Sequence, residues 1–252
     1  MRRLLALIIV WWLAAGAGPA VLITNVSQAR IDIDTSFKGA SLLVFGAIQY
    51  PSGVVPRKDP DIVVVVRGPA QPVTVRRKAR VAGIWMNTAA VRFESVPGFY
   101  AVASTRPIAD LADDRITAIY EIGIRNLQLS PASGASDAET RAFEAGLITQ
   151  KRNAGLFAEA PGAVTLTRGV LYNARIAIPA TVPVGDYVAE IHLIRDGRVS
   201  ASTSAPISID KSGFERWVGV AARQHSLAYG LAAVALALLA GVMAAGFSRR
   251  LA

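Results

Sequence analysis

The sequence contains no cysteine, and histidine and methionine are scarce, with two and three residues respectively. Without cysteine there are no disulfides and no thiol nucleophiles, so core packing alone must hold the fold. Soft copper ligands are almost lacking, because only Met86 and Met243 remain besides the initiator methionine. The two imidazoles are those of His192 and His225. We therefore expect no metal centre and no bound cofactor.

Motifs of the common enzyme classes are also missing. The sequence has no phosphate-binding loop, dinucleotide-binding loop or zinc-hydrolase signature. Two Gly-Ala-Ser segments, at 39–41 and 134–136, lack the second glycine of a nucleophile elbow. Ser208 and Lys211 satisfy S-x-x-K, but the partner motifs of that serine chemistry are missing. We expect a protein that is not an enzyme and has no catalytic residue.

The formal charge of +9 overstates how basic the central part of the chain is. Four arginines lie close to the two ends, and the rest of the chain has 23 basic against 18 acidic residues, a net charge of +5. Such an excess favours anionic headgroups or acidic partners. No basic motif interleaved with aromatic residues is present, so we do not expect a nucleic-acid partner.

The N-terminal residues have the pattern of a secretory signal. Two arginines precede the apolar stretch Leu4–Leu13, which is too short to span a bilayer, and small residues follow at 14–18. We predict a cleaved signal peptide over residues 1–20, ending at Ala20. Cleavage after Ala17 is the alternative.

Residues Leu227–Phe247 form an uncharged run of 21 residues. As one helix, this run is long enough to cross a hydrocarbon core of about 30 Å. Arg249 and Arg250 follow it directly, as is typical of a cytoplasmic end. We predict a single-pass inner-membrane protein with a periplasmic N-terminal domain and a cytoplasmic tail over residues 248–252.

The segment before this run, residues 211–226, has apolar residues at helical spacing. We predict a juxtamembrane amphipathic helix that lies in the membrane interface, with Phe214, Trp217 and Tyr229 at headgroup depth. The alternative is a simple stalk.

Most of the remaining chain has the patterns of β-strands. Apolar and polar residues alternate from Ile31 to Phe37, and Ile62–Val66 is a continuous β-branched run typical of a buried strand. We predict a mainly β ectodomain of two immunoglobulin-like β-sandwich halves, residues 21–105 and 106–210. One larger sandwich is the alternative.

The second half contains the one helix that we predict in the ectodomain. Ser136 is positioned to cap a helix over residues 137–157, with Glu139 as its capping-box partner. Ile116–Leu129 is predicted to be a strand or a strand pair. Tyr187 follows Gly-Asp at the start of an alternating strand, which resembles the tyrosine corner of immunoglobulin-like sandwiches.

A cluster of basic residues is the strongest candidate for a binding site. Arg76, Lys78 and Arg80 alternate along a predicted strand and would form one positive stripe, called here the basic stripe. It would suit an oxyanion, a lipid headgroup or an acidic partner. The alternative is a charged strand that protects a sheet edge from aggregation. Arg77 would face the other way and need a buried carboxylate or carbonyl partner.

Two further groups of polar residues have alternative interpretations. His192 shares a strand face with Glu190, which favours either a surface cross-strand pair or a pH switch with a raised pKa. Asp32 and Asp34 share a strand face, which favours a solvated face over a calcium site, since no glycine-bearing ligand loop surrounds them.

Segments spread over nearly the whole chain resemble one family, the Alph_Pro_TM family of alphaproteobacterial transmembrane proteins. The resemblance is carried, in order, by residues 42–47, 62–69, 75–87, 96–104, 213–216 and 229–233. It implies a membrane protein and supplies no catalytic residues. It also implies a possible polytopic partner, a permease of the sulfite-exporter type.

Two classes of function follow from the sequence. The first is a non-enzymatic accessory subunit of an inner-membrane transporter or envelope complex. The second is a periplasmic sensor or small-anion-binding module.

Overall fold

The computed structural model describes residues 20–34, 36–51, 53–132, 134, 136–211 and 222–251. Side chains at 242 and 244–251 are outside this description. The predicted signal peptide, except for Ala20, and most of the predicted juxtamembrane segment therefore lie outside the described residues.

The described chain is mainly β, as predicted. Its strands, in chain order, are β1 Val21–Val26, β2 Arg30–Ile33, β3 Ala40–Gln49, β4 Asp61–Arg67, β5 Ala70–Val81, β6 Ile84–Pro97, β7 Tyr100–Ser104, β8 Phe157–Pro161, β9 Val164–Thr167, β10 Leu171–Ile178, β11 Gly185–Arg195 and β12 Arg198–Lys211. The helices are α1 Asp114–Ile119, α2 Asp137–Asn153 and α3 Ser226–Leu251, with 3₁₀ turns at Ile108–Asp110 and Ile124–Asn126.

The strands form three sheets. A four-stranded sheet has the order β1-β3-β10-β9, a six-stranded sheet the order β2-β12-β11-β4-β7-β8, and β5 pairs with β6 in a separate hairpin. Strands β7 and β8 pair in parallel, and the pairs β1–β3, β3–β10, β9–β10, β11–β12, β4–β11, β4–β7 and β5–β6 are antiparallel. The chain between β7 and β8 contains α1, α2 and both 3₁₀ turns, as the long crossover of a parallel pair requires.

Strand β4 is buried on both faces, as its continuous apolar run predicts. Ile62–Val66 are fully inaccessible to solvent. Val63 and Val65 belong to a core cluster that also contains residues from the base of the β5–β6 hairpin and from α2, namely Val75, Val91, Phe93, Phe143 and Leu147. The two larger sheets contact each other through β10 with β7 and β9 with β4.

Tyr187 of β11 is buried, and its hydroxyl donates to the backbone carbonyl of Pro183 at 2.5 Å. This bond to the chain four residues upstream holds the start of β11 in place. Gly68 lies against the Tyr187 ring so closely that an added Cβ would be 2.6 Å from its Cε1 atom. The residue before Pro69 must therefore be small.

The predicted strand over Ile116–Leu129 is wrong. Residues 114–119 are helical, with Asp114 in the first turn, where a carboxylate interacts favourably with the helix dipole. The chain then turns at Glu121 and Gly123, with φ of +47° and +99°, before a 3₁₀ turn. Of its apolar residues, Ile122, Ile124 and Leu127 are buried whereas Ile119 is 61% exposed, and their pattern alone did not distinguish strand from helix.

Helix α2 begins as predicted, at Asp137, and ends at Asn153, four residues before the predicted end. The Ser136 side chain accepts from the Glu139 amide at 3.3 Å and donates to the Glu139 carboxylate at 3.2 Å, so the predicted capping interaction is present. The helix stops because Gly155 has φ of +69° and Phe157 enters β8 beside β7.

Contacts divide the described chain into two compact units. The first comprises the described residues of 1–31 and 37–209, and the second those of 32–36 and 210–252. The predicted division at residue 105 is not tested by this grouping and stays a prediction.

Helix α3 is 26 residues long and belongs to the second unit. Among the described residues, no helix combines the length and apolar character needed to cross a membrane. The predicted transmembrane helix over Leu227–Phe247 is therefore not confirmed.

Candidate functional site

The basic stripe lies on β5, within the β5–β6 hairpin. The base of the hairpin is buried, with Val75 and Val91 in the core, whereas almost all residues from 76 to 88 are exposed. A two-residue turn at Ala82 and Gly83 joins the strands, with φ of +50° and +86°. Positive φ at both positions gives a turn whose twist matches that of the two strands, so the hairpin continues regularly to its end.

The side chains of Arg76, Lys78 and Arg80 are all exposed. Their partners across the hairpin are Ala90, Asn87 and Trp85 respectively. Thr88 is an extra residue on β6 between the pairs of Arg77 and Lys78, and its hydroxyl donates to the Arg77 carbonyl at 3.3 Å. The bulge falls on β6, so the alternation along β5 is kept and the three cations share a face.

The prediction that Arg77 is buried beside a carboxylate or carbonyl is wrong. Arg77 is exposed, and its guanidinium carbon lies 5.7 Å from the centre of the Phe143 ring of α2. A long side chain can cover an apolar surface while its charge stays in water, so no buried acceptor is needed.

No cation of the stripe is neutralised within the described part of the chain. Neither Arg77 nor any member of the basic stripe forms an ion pair with a described residue, and Arg80 Nε donates to the Gly83 carbonyl at 3.1 Å. Residues 70–97, the two strands and their turn, include five basic residues and one carboxylate, Glu94, which pairs with Arg92. The hairpin therefore has a concentrated positive potential.

The end of the hairpin, residues Val81–Met86, is called here the hairpin tip. Its apolar side chains are Val81, Ile84, Trp85 and Met86, which are 47%, 67%, 68% and 51% exposed. We did not predict this surface from the sequence. The sequence signal for this surface is an Ala-Gly turn followed directly by Ile-Trp-Met. On a strand covered on both faces, the same three apolar residues would belong to the core.

A second polar cluster surrounds Arg67, at the end of β4. Its guanidinium forms an ion pair with Glu121, donates from Nη2 to the Tyr120 carbonyl at 3.0 Å, and lies 3.5 Å from Glu190 Oε2. Tyr100 adds a donated bond to the Glu121 carbonyl at 2.5 Å and accepts from the Gly123 amide at 2.9 Å. These bonds fasten the turn at 120–123 to the six-stranded sheet.

The position of His192 contradicts both interpretations, the surface cross-strand pair and the pH switch with a raised pKa. The residue is 5% exposed, so it is not a surface pair, and its Nδ1 lies 2.9 Å from the Ser202 hydroxyl. Burial, and to a lesser extent the charge of Arg67, lower the pKa of His192 to about 4. Glu190 Oε2 is 4.0 Å from Nε2, too far for a hydrogen bond, and the predicted rise in pKa does not occur.

Asp32 and Asp34 are both exposed, as a solvated face predicts. Asp34 follows β2 and accepts from the Ser36 amide at 2.8 Å and the Ser36 hydroxyl at 2.7 Å. Across the described ranges, no group of three or more histidine or acidic side chains is arranged to hold a metal ion.

The predicted membrane-interface residues are only partly described. Phe214 and Trp217 lie outside the described residues, as do the side chains of Arg249 and Arg250. Tyr229 lies in α3 and is 40% exposed.

No curated protein matches the chain at a significant level. A family model does match, over residues 21–250, which is most of the chain. The chain therefore belongs to the family described as "Putative transmembrane protein (Alph_Pro_TM)".

Proposed function

We propose that this protein is a membrane-anchored, non-enzymatic accessory subunit of an inner-membrane transporter or envelope complex. In this proposal the first unit lies in the periplasm and α3 holds the chain in the bilayer. The observation that carries the proposal is the uncharged run at 227–247, all of which lies in α3.

The exposure of α3 supports an anchor. Leu227, Leu231 and Leu236 are 84%, 72% and 67% exposed, and Leu238 and Leu239 are 66% and 60% exposed. Every side chain from 227 to 241 is exposed and none of them is charged, and a helix that is apolar on all sides is stable only when its surroundings are apolar. The description of the family agrees with this assignment.

The proposed orientation rests on the predicted signal peptide and on Arg249 and Arg250. Positive charge directly after a span is retained on the cytoplasmic side. A reporter enzyme that works only in the cytoplasm should be active when it is fused after Ala252. A reporter that works only in the periplasm should be inactive at the same position. Mass spectrometry of the mature protein should find an N-terminus near Val21, and an intact Met1 would require a second anchor.

For the first unit we infer an immunoglobulin-like sandwich arrangement. The supporting features are two sheets in contact and the Tyr187 hydroxyl bonded to the Pro183 carbonyl, which resembles a tyrosine corner. The parallel pairing of β7 and β8 departs from that pattern. The number of sandwich halves stays a prediction.

The accessory role is supported by the hairpin, which offers an exposed, unpaired positive surface and an apolar tip. Such a surface suits the binding of a partner. The family resemblance adds a permease of the sulfite-exporter type as the partner to look for first.

Charge placed within α3 tests the anchor. Leu231→Arg together with Leu238→Arg should release the full chain from carbonate-washed membranes, because each charge costs about 2.5–3.5 kcal/mol at the centre of a spanning helix. The matched control is Leu231→Ala with Leu238→Ala, which should stay in the membrane fraction. If the arginine variant also stays, the anchor is not α3.

The alternative function, a sensor or small-anion-binding module, is supported by the unpaired cations of the basic stripe. Purification of the full chain in a mild detergent separates the two functions. A stoichiometric polytopic partner supports the accessory role. A lone monodisperse protein that binds phosphate or sulfate in solution supports the alternative.

A further inference from the structure

We propose that the hairpin tip inserts into the headgroup region of an anionic lipid bilayer and that the basic stripe binds the lipid phosphates there. The proposal rests on the membrane anchoring proposed above and assigns a lipid contact to the first unit. It identifies the ligand as anionic phospholipid at a bilayer surface.

The exposure of the tip points to a medium that surrounds it. In register, Arg80 pairs with Trp85, while Val81 pairs with Ile84 and Ala79 with Met86. Paired residues of adjacent strands share a face, so Trp85 lies on one face of the hairpin and Met86 on the other. A lipid interface would surround the tip and contact both faces, which matches the exposure of Trp85 and Met86.

The residue types of the tip suit a lipid interface. Tryptophan is enriched at headgroup depth because its ring is apolar and its N–H still finds an acceptor. The side chains of Val81, Ile84 and Met86 supply apolar surface, and the transfer of such surface out of water is favourable. Edge protection would explain the charges of β5, but it gives no reason for four exposed apolar side chains at the end of the hairpin.

The charge of the hairpin matches an anionic surface. Of the five basic residues of the hairpin, Arg92 pairs with Glu94, and the stripe cations have no described ion-pair partner. Basic side chains near an anionic bilayer are attracted to its surface.

The spacing of the two features also fits. Arg80 is one residue behind Val81 and Lys78 is three residues behind it, which at the rise of a strand is about 3 Å and about 10 Å. Amphipathic segments at a membrane surface bury their apolar side chains about 5–10 Å into the boundary between headgroups and acyl chains. A tip inserted to that depth would leave the stripe among the phosphates.

The tip needs little rearrangement to insert. Its turn at Ala82 and Gly83 is closed, and the pairs up to Val81 and Ile84 are formed. The turn is therefore already ordered in the folded protein, and insertion does not add the entropy cost of ordering a loop at the membrane.

The lack of cysteine makes a direct test possible. Ile84→Cys would carry the single thiol of the full chain, to be labelled with an environment-sensitive nitrobenzoxadiazole dye. The labelled protein would be reconstituted into vesicles of phosphatidylcholine alone, or with about 30% phosphatidylglycerol. The matched control is Ser204→Cys, at an exposed position of β12 far from the hairpin in sequence.

We expect the dye at residue 84 to shift to the blue and brighten about twofold or more in the phosphatidylglycerol vesicles. Salt at about 0.5 M should reduce the change, because it screens the stripe. The dye at residue 204 should not respond.

Charge variants then distinguish an effect of the basic stripe from an effect of the net positive charge of the protein. Replacing Arg76, Lys78 and Arg80 by Gln in the Ile84→Cys protein should abolish most of the change. Replacing three exposed arginines elsewhere, at 125, 175 and 198, removes the same charge and should leave the change intact.

Failure of this proposal is distinguishable from failure of the anchor. If the chain resists carbonate extraction while the dye at 84 reports water in both vesicle types, insertion of the tip is wrong and the anchor stands. If the chain is extracted, the anchor is wrong. An equal signal without phosphatidylglycerol overturns the role of the stripe, and a shift seen only with added membrane proteins overturns the lipid assignment in favour of a protein partner.

Discussion

His192 of β11 has Val63 of β4 and Ser202 of β12 as its cross-strand neighbours. The Tyr120 ring lies edge-on at 5.3 Å between ring centres, and Arg67 is the nearest cation in the cluster. An imidazolium in this place would lose hydration and meet a like charge, so the neutral ring is favoured. Burial by distant strands has thus made a group that titrates near neutrality into a neutral core residue.

The lowered pKa predicts a dependence of stability on pH. With a pKa of about 4 in the folded protein against about 6.5 unfolded, the stability contributed by neutral His192 is complete above pH 6.5 and is lost as pH falls towards 4. At pH 5 the loss should be about 2 kcal/mol of unfolding free energy. Denaturant unfolding at pH 7 and pH 5 measures this loss of unfolding free energy. The control is His192→Gln, which should lack the part of the loss that His192 causes. An equal pH dependence in both proteins would contradict the assignment.

Arg67 should be among the charged residues most important for stability. Arg67→Ala would leave Glu121 half-buried without its cation and detach the turn at 120–123, at a cost of about 2–3 kcal/mol. The comparison is Arg92→Ala, whose pair with Glu94 is more than half exposed and should contribute less than about 1 kcal/mol. Similar losses of unfolding free energy in the two variants would show that the cluster is not structural.

At the scale of secondary-structure elements, two glycines show how the environment decides the effect of one methyl group. Gly46 of β3 lies against β1 and β10, where an added Cβ would overlap the Ile23 carbonyl and the Tyr172 ring. Gly146 lies in α2 with no atom within 4 Å of an added Cβ. The first glycine is required by the close approach of neighbouring strands, and the second is not required by any contact.

We therefore predict opposite signs for the same substitution. Gly46→Ala should destabilise the fold by about 1–3 kcal/mol, because β1 or Tyr172 must move. Gly146→Ala should stabilise it by about 0.5–1 kcal/mol through helix propensity. Thermal unfolding of the two variants beside the wild type measures both, and a stable Gly46→Ala protein would show that β1 can shift without cost.

At the scale of the whole molecule, the fold of the first unit rests on apolar packing around β4 and on strand pairing. The sequence contains no cysteine, and the described residues contain no arranged group of metal ligands. The stability of the full chain should thus be independent of redox state and of divalent cations.

Metal removal tests this at Asp32 and Asp34. Excess EDTA should leave the unfolding temperature of the full chain unchanged, and added Ca²⁺ should not raise it, because the carboxylates of Asp32 and Asp34 are exposed and the described residues contain no group of three or more metal-ligating side chains. Asp32→Asn should behave as the wild type in both solutions. A calcium-dependent rise that Asp32→Asn abolishes would establish a site there.

The sequence by itself determined those features that depend on neighbours along the chain. The capped start of α2 at Ser136 and the buried strand β4 follow from capping chemistry and from an unbroken β-branched run. The alternation of Arg76, Lys78 and Arg80 along β5 also follows from local periodicity. Each of these signals is contained in fewer than ten residues.

The tertiary structure decided what depends on residues far apart in sequence. The turn at 120–123 is held by Arg67 and Tyr100, His192 lies between β4 and β12, and residues 114–119 are helical where a strand was predicted from residue 116. The hairpin tip is exposed because no described element covers either face there, which its apolar composition would not suggest. Burial sets the pKa of a titratable side chain and decides whether an apolar segment forms a helix or a strand. The atoms that bury a residue come from elsewhere in the chain, so burial is a property of the assembled fold.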